Sequence, residues 1–91
     1  ITQRITDGYI NATAMCKAAN KTWSDYVRLT GTKAFISELS SVLQISQDGL
    51  IQSIQGGVPH LQGTWVHPQV AINLAQWLSP KFAVLVSKWV F

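Results

Sequence analysis

The apolar and polar positions of this chain change period partway along it. Leu50-Ile51-Gln52-Ser53-Ile54-Gln55 and Gln62-Gly63-Thr64-Trp65-Val66-His67 are short extended runs, with Gly56-Gly57-Val58-Pro59-His60 between them. The pair predicts a β-hairpin over about 50–66 with a projecting tip. From Pro68 the period lengthens, and Val70, Ala71, Leu74, Trp77 and Leu78 form a helical stripe that ends at Ser79-Pro80. Proline suits the first turn of a helix, where its missing N–H has no partner to lose. Ser79 can cap a further helix whose first residue is Pro80, and Phe82, Leu85, Val86 and Trp89 repeat the i, i+3, i+4, i+7 spacing.

Upstream, Ile5-Thr6-Asp7-Gly8-Tyr9-Ile10 predicts a tight opening ribbon, because Asp-Gly suits the two positive-φ positions of a type I′ turn. Asn11 is placed to cap a helix over Ala12–Ala19 that buries Ala12, Met15 and Ala19, and Asn20 stops it. Thr22 to Asp25 resembles a capping box and opens a short helix. Trp23, Tyr26, Val27 and Thr30 face inward on that helix, with Ser24, Asp25 and Arg28 outside. Gly31 is expected to break the run and Thr32 to restart it. Phe35, Ile36, Leu39, Val42 and Leu43 then form the core stripe, Lys33, Ser37, Ser40 and Ser41 the outer face, and Asp48-Gly49 the exit into the hairpin. The expected fold class is α+β, a small winged-helix-like domain with two β-hairpins and about five short helices.

Composition narrows the range of functions. A chain of 91 residues makes one domain, burying roughly 60 to 65% of its unfolded surface. Charged residues are only 12% against 47% apolar ones, so Ser, Thr, Gln and Asn must build much of the surface. Cys16 is the single cysteine, which excludes an internal disulfide and a multi-cysteine metal site and fits an intracellular compartment. The uncharged stretch 49–80 is broken by Gly, Pro, Gln and His before it reaches the ~18 apolar residues of a membrane span. The chain starts at Ile1 and stops at Phe91 as an excised piece does, which leaves additional domains or a homo-oligomer open.

Of the net charge of +3, most of the basic character lies in the first half: Arg4, Lys17, Lys21, Arg28 and Lys33 against Asp7, Asp25 and Glu38. Enzymatic readings find little support. Gly31-Thr32-Lys33 lacks the order of a phosphate loop, the four acidic residues form no paired-carboxylate motif, and His60, His67 and Cys16 lack metal-ligand spacing. No catalytic residue, metal or cofactor is expected.

Four segments, Asp7-Gly8-Tyr9-Ile10-Asn11-Ala12-Thr13, Trp23-Ser24-Asp25-Tyr26, Gly63-Thr64-Trp65-Val66-His67-Pro68 and Leu74-Ala75-Gln76-Trp77-Leu78-Ser79-Pro80, occur in the order found in one family. In them the chain resembles the KilA-N domain of large DNA viruses, phages and prophage-bearing bacteria, which is similar to the APSES DNA-binding domain of fungal transcription factors. The resemblance implies a module for double-stranded DNA acting in transcription regulation, in the cytoplasm of a bacterium or in the nucleus or virus factory of a eukaryotic host. In the fungal relatives the helix after the Asn-Ala-Thr helix faces DNA and the hairpin serves as a wing. Carried over, these are a helix-turn-helix-like region over about 21–43, with Lys21, Ser24, Arg28, Thr32 and Lys33, and a wing with Gln52, Gln55, Gly56, Gly57, His60 and Gln62.

The chain departs from the fungal pattern in two places. Its second helical region is interrupted at Thr30-Gly31-Thr32, which leaves either half open as the recognition helix, and its wing has no Lys or Arg. Gln55 and Gln62 can still pair with base edges or phosphate oxygens, glycine amides can approach a phosphate, and His60 adds a donor. Plainer roles exist for the same residues: Arg28 and Lys33 as solvated helix charges, the glutamines as solubilising ribbon residues, and Trp23, Trp65, Trp77 and Trp89 as packing. A protein-interaction or self-association module is the competing function, supported by the low charge and the apolar C-terminal helices. Binding of RNA or single strands is a second, requiring exposed aromatics on a sheet face, for which Tyr9 is the strand candidate.

Overall fold

The computed structural model describes residues 3–4, 7–57 and 62–87, the side chains of 82 and 85–87 excepted. Its elements run β1 (Ile10–Asn11), α1 (Ala12–Ala18), α2 (Trp23–Val27), α3 (Thr30–Leu43), α4 (Gln47–Leu50), β2 (Ile51–Ile54), β3 (Gly63–Val66), α5 (Pro68–Leu78) and α6 (Pro80–Ser87). The class is α+β. One antiparallel sheet of order β1-β3-β2 has the helices packed around it, with Ile10 and Ile51 both opposite Val66 on the central strand.

Of the predicted opening ribbon, Ile10 lies in this sheet as part of β1, Ile5 and Thr6 lie outside the described residues, and the turn at Asp7-Gly8 is of another kind than expected. Gln3 bridges Ile10, while the Gly8 N–H donates to the Arg4 carbonyl at 2.7 Å. Gly8 has φ +76°, but Asp7 stays out of the left-handed region, so no type I′ turn forms. The Asp7 carboxylate instead accepts the Tyr9 N–H at 3.0 Å, an Asx-type closure that a short acidic side chain makes readily.

Asn11 caps α1 as its position predicts, its Oδ1 accepting the Ala14 N–H at 3.0 Å, and Asn20 ends the helical region at φ 61°. The buried face is Ala12, Met15 and Cys16. Burial pushes the Cys16 thiol above its ordinary pKa, which keeps it neutral and unreactive.

The break between α2 and α3 falls at Arg28-Leu29, ahead of Gly31. The Thr22 hydroxyl makes no cap and Asp25 turns to Arg28, so the expected capping box is absent. The Lys33 N–H donates to the Leu29 carbonyl at 3.1 Å, which places Thr30 and Gly31 inside the first turn of α3. A glycine is least costly in that turn, where amides have no intrahelical partner to gain. The inward stripe is Thr32, Ile36 and Leu39, flanked by half-buried Phe35 and Leu43; Val42, expected in the core, is 69% exposed. Gln44 ends α3 in the left-handed conformation.

Asp48-Gly49 lies within a helical turn that the sequence reading passed over. The Ser46 Oγ accepts the Gly49 N–H at 3.1 Å, and a Cβ on Gly49 would sit 2.8 Å from the Ile45 side chain. With this turn the described residues hold six helices.

The hairpin and the two helices after it form as predicted. Pro68 opens α5, whose buried stripe is Val70, Ala71, Leu74, Ala75 and Leu78. His67 caps it: Nδ1 accepts the Gln69 N–H at 3.1 Å, and burial holds the imidazole pKa below its usual value, in the neutral form that can accept. Ser79 is extended and α6 begins at Pro80, packing back on α5. The stripe Phe82, Leu85, Val86 and Trp89 lies outside the described side chains. The core gathers Ile10, Met15, Tyr26, Leu50, Val66, Val70 and Leu74, all essentially without solvent contact.

Candidate nucleic-acid interface

The sequence-predicted residues fall into two groups. The first is carried by α2 and α3. Tyr26, at 1% exposure, roots the pair: its hydroxyl donates to Asn73 Oδ1 on α5, with the Thr32 side chain nearby, and its ring lies 5.3 Å from that of Trp23 and 5.7 Å from that of Trp77. Thr32 is therefore in the core at 4% exposure, which corrects its placement among surface contacts. Its hydroxyl faces Tyr26 because α3 starts two residues earlier than the glycine suggested. Ser24, Arg28 and Lys33 remain exposed on the outer side of the helices.

Lys21 is exposed but engaged. Its Nζ stands 4.6 Å from the Trp77 ring centroid and donates to the Trp77 carbonyl at 3.3 Å. That carbonyl belongs to the last turn of α5, where unpaired acceptors favour a cation. The lysine thus serves as a C-terminal cap supplied by the segment between α1 and α2.

The second group is the β2–β3 ribbon. Gln55, Gly56, Gly57 and Gln62 are exposed at its end, and Gly56 and Gly57 have φ +78° and +71° with open space where a Cβ would stand. Gln62 Nε2 reaches back to the Gly57 carbonyl at 3.4 Å. His60 lies outside the described residues. Gln52 is set apart from these: its Oε1 accepts from Arg4 at 2.8 Å and its Nε2 points to the Gly49 carbonyl, so it is held on the sheet face.

Sequence reasoning missed the cluster that holds Gln52. Arg4 is clasped by the Asp7 carboxylate, and its guanidinium stands 5.3 Å from the Tyr9 ring centroid and 5.0 Å from that of Trp65. The guanidinium hydrogen bonds hold the Asp7 carboxyl below the usual carboxylate pKa. Tyr9 is 9% exposed and Trp65 4%, so Tyr9 is not available for base stacking. The Arg-x-x-Asp spacing was legible, but the aromatic pair beneath it, Tyr9 just ahead of β1 and Trp65 on β3, comes from segments far apart in sequence.

A second missed feature anchors the returning strand. The Thr64 N–H donates to Thr13 Oγ1 at 3.0 Å, and Gly63, at φ +125°, lies against Asn11 and Thr13 so closely that a Cβ would be 3.1 Å from Asn11 Oδ1. One asparagine and one threonine at the start of α1 therefore both begin that helix and fix the strand that descends from the ribbon's end.

The KilA-N domain model matches residues 1–90 of the chain. Among similar proteins are KilA-N domain-containing proteins of Acanthamoeba polyphaga mimivirus. Protein L4 is 37% identical over 82 residues, covering 89% of this chain and 18% of its own. Protein R878 is 35% identical over 86 residues, covering 88% of this chain and 24% of its own. Protein L33 is 30% identical over 90 residues, covering 92% of this chain and 37% of its own. The chain thus spans well under half the length of these relatives. No solved structure matches it significantly. Among the described residues no helix is long and apolar enough to cross a membrane. The chain belongs to the KilA-N domain family, whose members are generally nucleic-acid-binding domains.

Proposed function

We propose that this domain binds double-stranded DNA, with α2 and α3 as a helix-turn-helix-like pair and the β2–β3 ribbon as a wing. Family membership is the observation that carries the reading. The geometry supports it in two ways. The pair is fastened to α5 through Tyr26 while Ser24, Arg28 and Lys33 stay exposed, so two cations, with Asp25 and Glu38 beside them, are held on a fixed support. Near the end of β2 the described residues include two glycines with open space around them, Gly56 and Gly57, and exposed Gln55 and Gln62, whose amides can approach a phosphate and whose side chains offer paired donors and acceptors. Of the two helices, α3 is the better recognition element, since its fourteen residues can lie along a major groove and α2 supplies barely more than one turn.

The competing readings have less behind them. Binding of single strands by stacking needs open aromatics, whereas Tyr9 and Trp65 are buried beneath Arg4. Self-association needs a continuous apolar patch, whereas among the described residues the exposed large hydrophobics Leu29, Val42 and Val84 sit on three separate segments. In this reading the domain acts wherever its DNA is, and it plays no catalytic part.

Alanine at both Arg28 and Lys33 tests the proposal. Duplex affinity at low salt is expected to fall by about tenfold or more, while the circular dichroism melt stays where it was, because both side chains are exposed. Unchanged duplex affinity would remove α2 and α3 from the interface.

A further inference from the structure

Both arginines of the chain are paired with an aspartate three residues away, and the two pairs differ in burial. Arg4 and Asp7 are 17% and 35% exposed at their side chains, and Arg4 is further tied to Gln52 and stacked on two rings. That pair is part of the sheet face. Arg28 and Asp25 are 74% and 51% exposed, on the outer side of α2, where the carboxylate takes the same guanidinium edge that a phosphate oxygen would take.

We propose that Asp25 is an intramolecular counterion that competes with the DNA backbone for Arg28 and so sets the strength and salt response of duplex binding. The inference rests on the duplex-binding reading above. An exposed i, i+3 ion pair is weak and exchanges readily, so it can be displaced by phosphate without disturbing the fold. It nevertheless lowers the share of Arg28 available for a phosphate, and it sets a fixed negative charge beside the phosphate-facing surface. Both effects act in the same direction. Arg4 has no such role, because releasing it would also strip partners from Gln52, Tyr9 and Trp65.

The test is a cycle of four proteins, the 91-residue chain and its Asp25→Asn, Arg28→Ala and doubly substituted forms, titrated against a fluorescein-labelled random-sequence duplex across salt. Asp25→Asn is expected to bind about threefold to tenfold more tightly at low salt, with a log–log salt slope steeper by up to about 0.9, the increment for one more neutralised phosphate. In the Arg28→Ala background the same substitution is expected to bring a clearly smaller gain, the part that comes from removing the negative charge alone. Three outcomes overturn the inference. If the unsubstituted chain binds duplex and Asp25→Asn brings no gain, or if the gain persists undiminished without Arg28, the counterion role fails and duplex binding stands. If none of the four proteins binds duplex, the duplex reading fails and the inference with it. Both side chains are exposed, so matching melting curves across the four proteins keep the comparison one of binding.

Discussion

Replacing Tyr26 with alanine is expected to lower the melting temperature by more than about 15 °C. Deleting a buried aromatic side chain costs ~3–5 kcal/mol, and each kcal/mol shifts the midpoint of a domain this size by about 4–8 °C. Tyr26 is 1% exposed and joins three elements, with Trp23 beside it on α2, Thr32 on α3, and Asn73 and Trp77 on α5. Its loss opens the core and also removes the hydrogen-bond partner of the Asn73 side chain. Tyr26→Phe separates the two contributions: it keeps the ring and is expected to cost about 1 kcal/mol, the net worth of one hydrogen bond to the half-buried Asn73. Thermal and urea unfolding followed by circular dichroism measure both. A Tyr26→Ala midpoint within a few degrees of the unsubstituted chain would show that α2 and α3 are not rooted on α5 through this side chain.

Alanine at Gly63 is the second large effect, expected at about 2–4 kcal/mol. The penalty has two sources, and both are specific to this glycine. Its φ of +125° lies in a region that L side chains rarely adopt, and a Cβ there would stand 3.1 Å from Asn11 Oδ1 and 3.3 Å from Thr13 Oγ1. Those oxygens already accept the Ala14 and Thr64 amides, so moving them weakens both the start of α1 and the strand it anchors. Gly56→Ala is the comparison. Its φ is also positive, but nothing lies within 4 Å of the added Cβ, and the loss is expected to stay near 1 kcal/mol. Urea unfolding of the two variants separates these cases, and equal losses would contradict the tight packing of Gly63 on α1.

Local chemistry made much of this fold readable. Asn11 and Pro68 open their helices where their side chains predict, the Val70–Leu78 stripe is the buried face of α5, and the extended runs on either side of the double glycine pair as β2 and β3. The errors arose where a residue type has more than one stable use. Gly31 reads as a breaker, yet a first helical turn accepts it, and the chain bends earlier at Leu29. Asp48-Gly49 reads as an exit turn, yet Ser46 can cap it into a helical one. Asp25 reads as half of a capping box, yet Arg28 on the next turn is the stronger partner for its carboxylate.

The candidate interface was legible where it depended on exposure and obscure where it depended on distant contacts. Ser24, Arg28, Lys33, Gln55 and Gln62 are exposed, as polar residues on the outer side of short elements should be. Thr32 meets Tyr26 across the break between α2 and α3, while Lys21 meets Trp77 and Gln52 meets Arg4 across long separations in sequence, and each partner gives an apparently free surface residue a structural task. Periodicity reports which face of a helix a residue occupies and says nothing of what comes to meet it.

The measurement that tests duplex binding most directly is fluorescence anisotropy of the purified domain with random-sequence duplex DNA, single-stranded DNA and duplex RNA, each titrated across salt. The account predicts preference for duplex DNA and a log–log salt slope near about −3.6, the value for roughly four neutralised phosphates on a surface with few free cations. No duplex binding at low salt, or tighter binding to single strands, would contradict it.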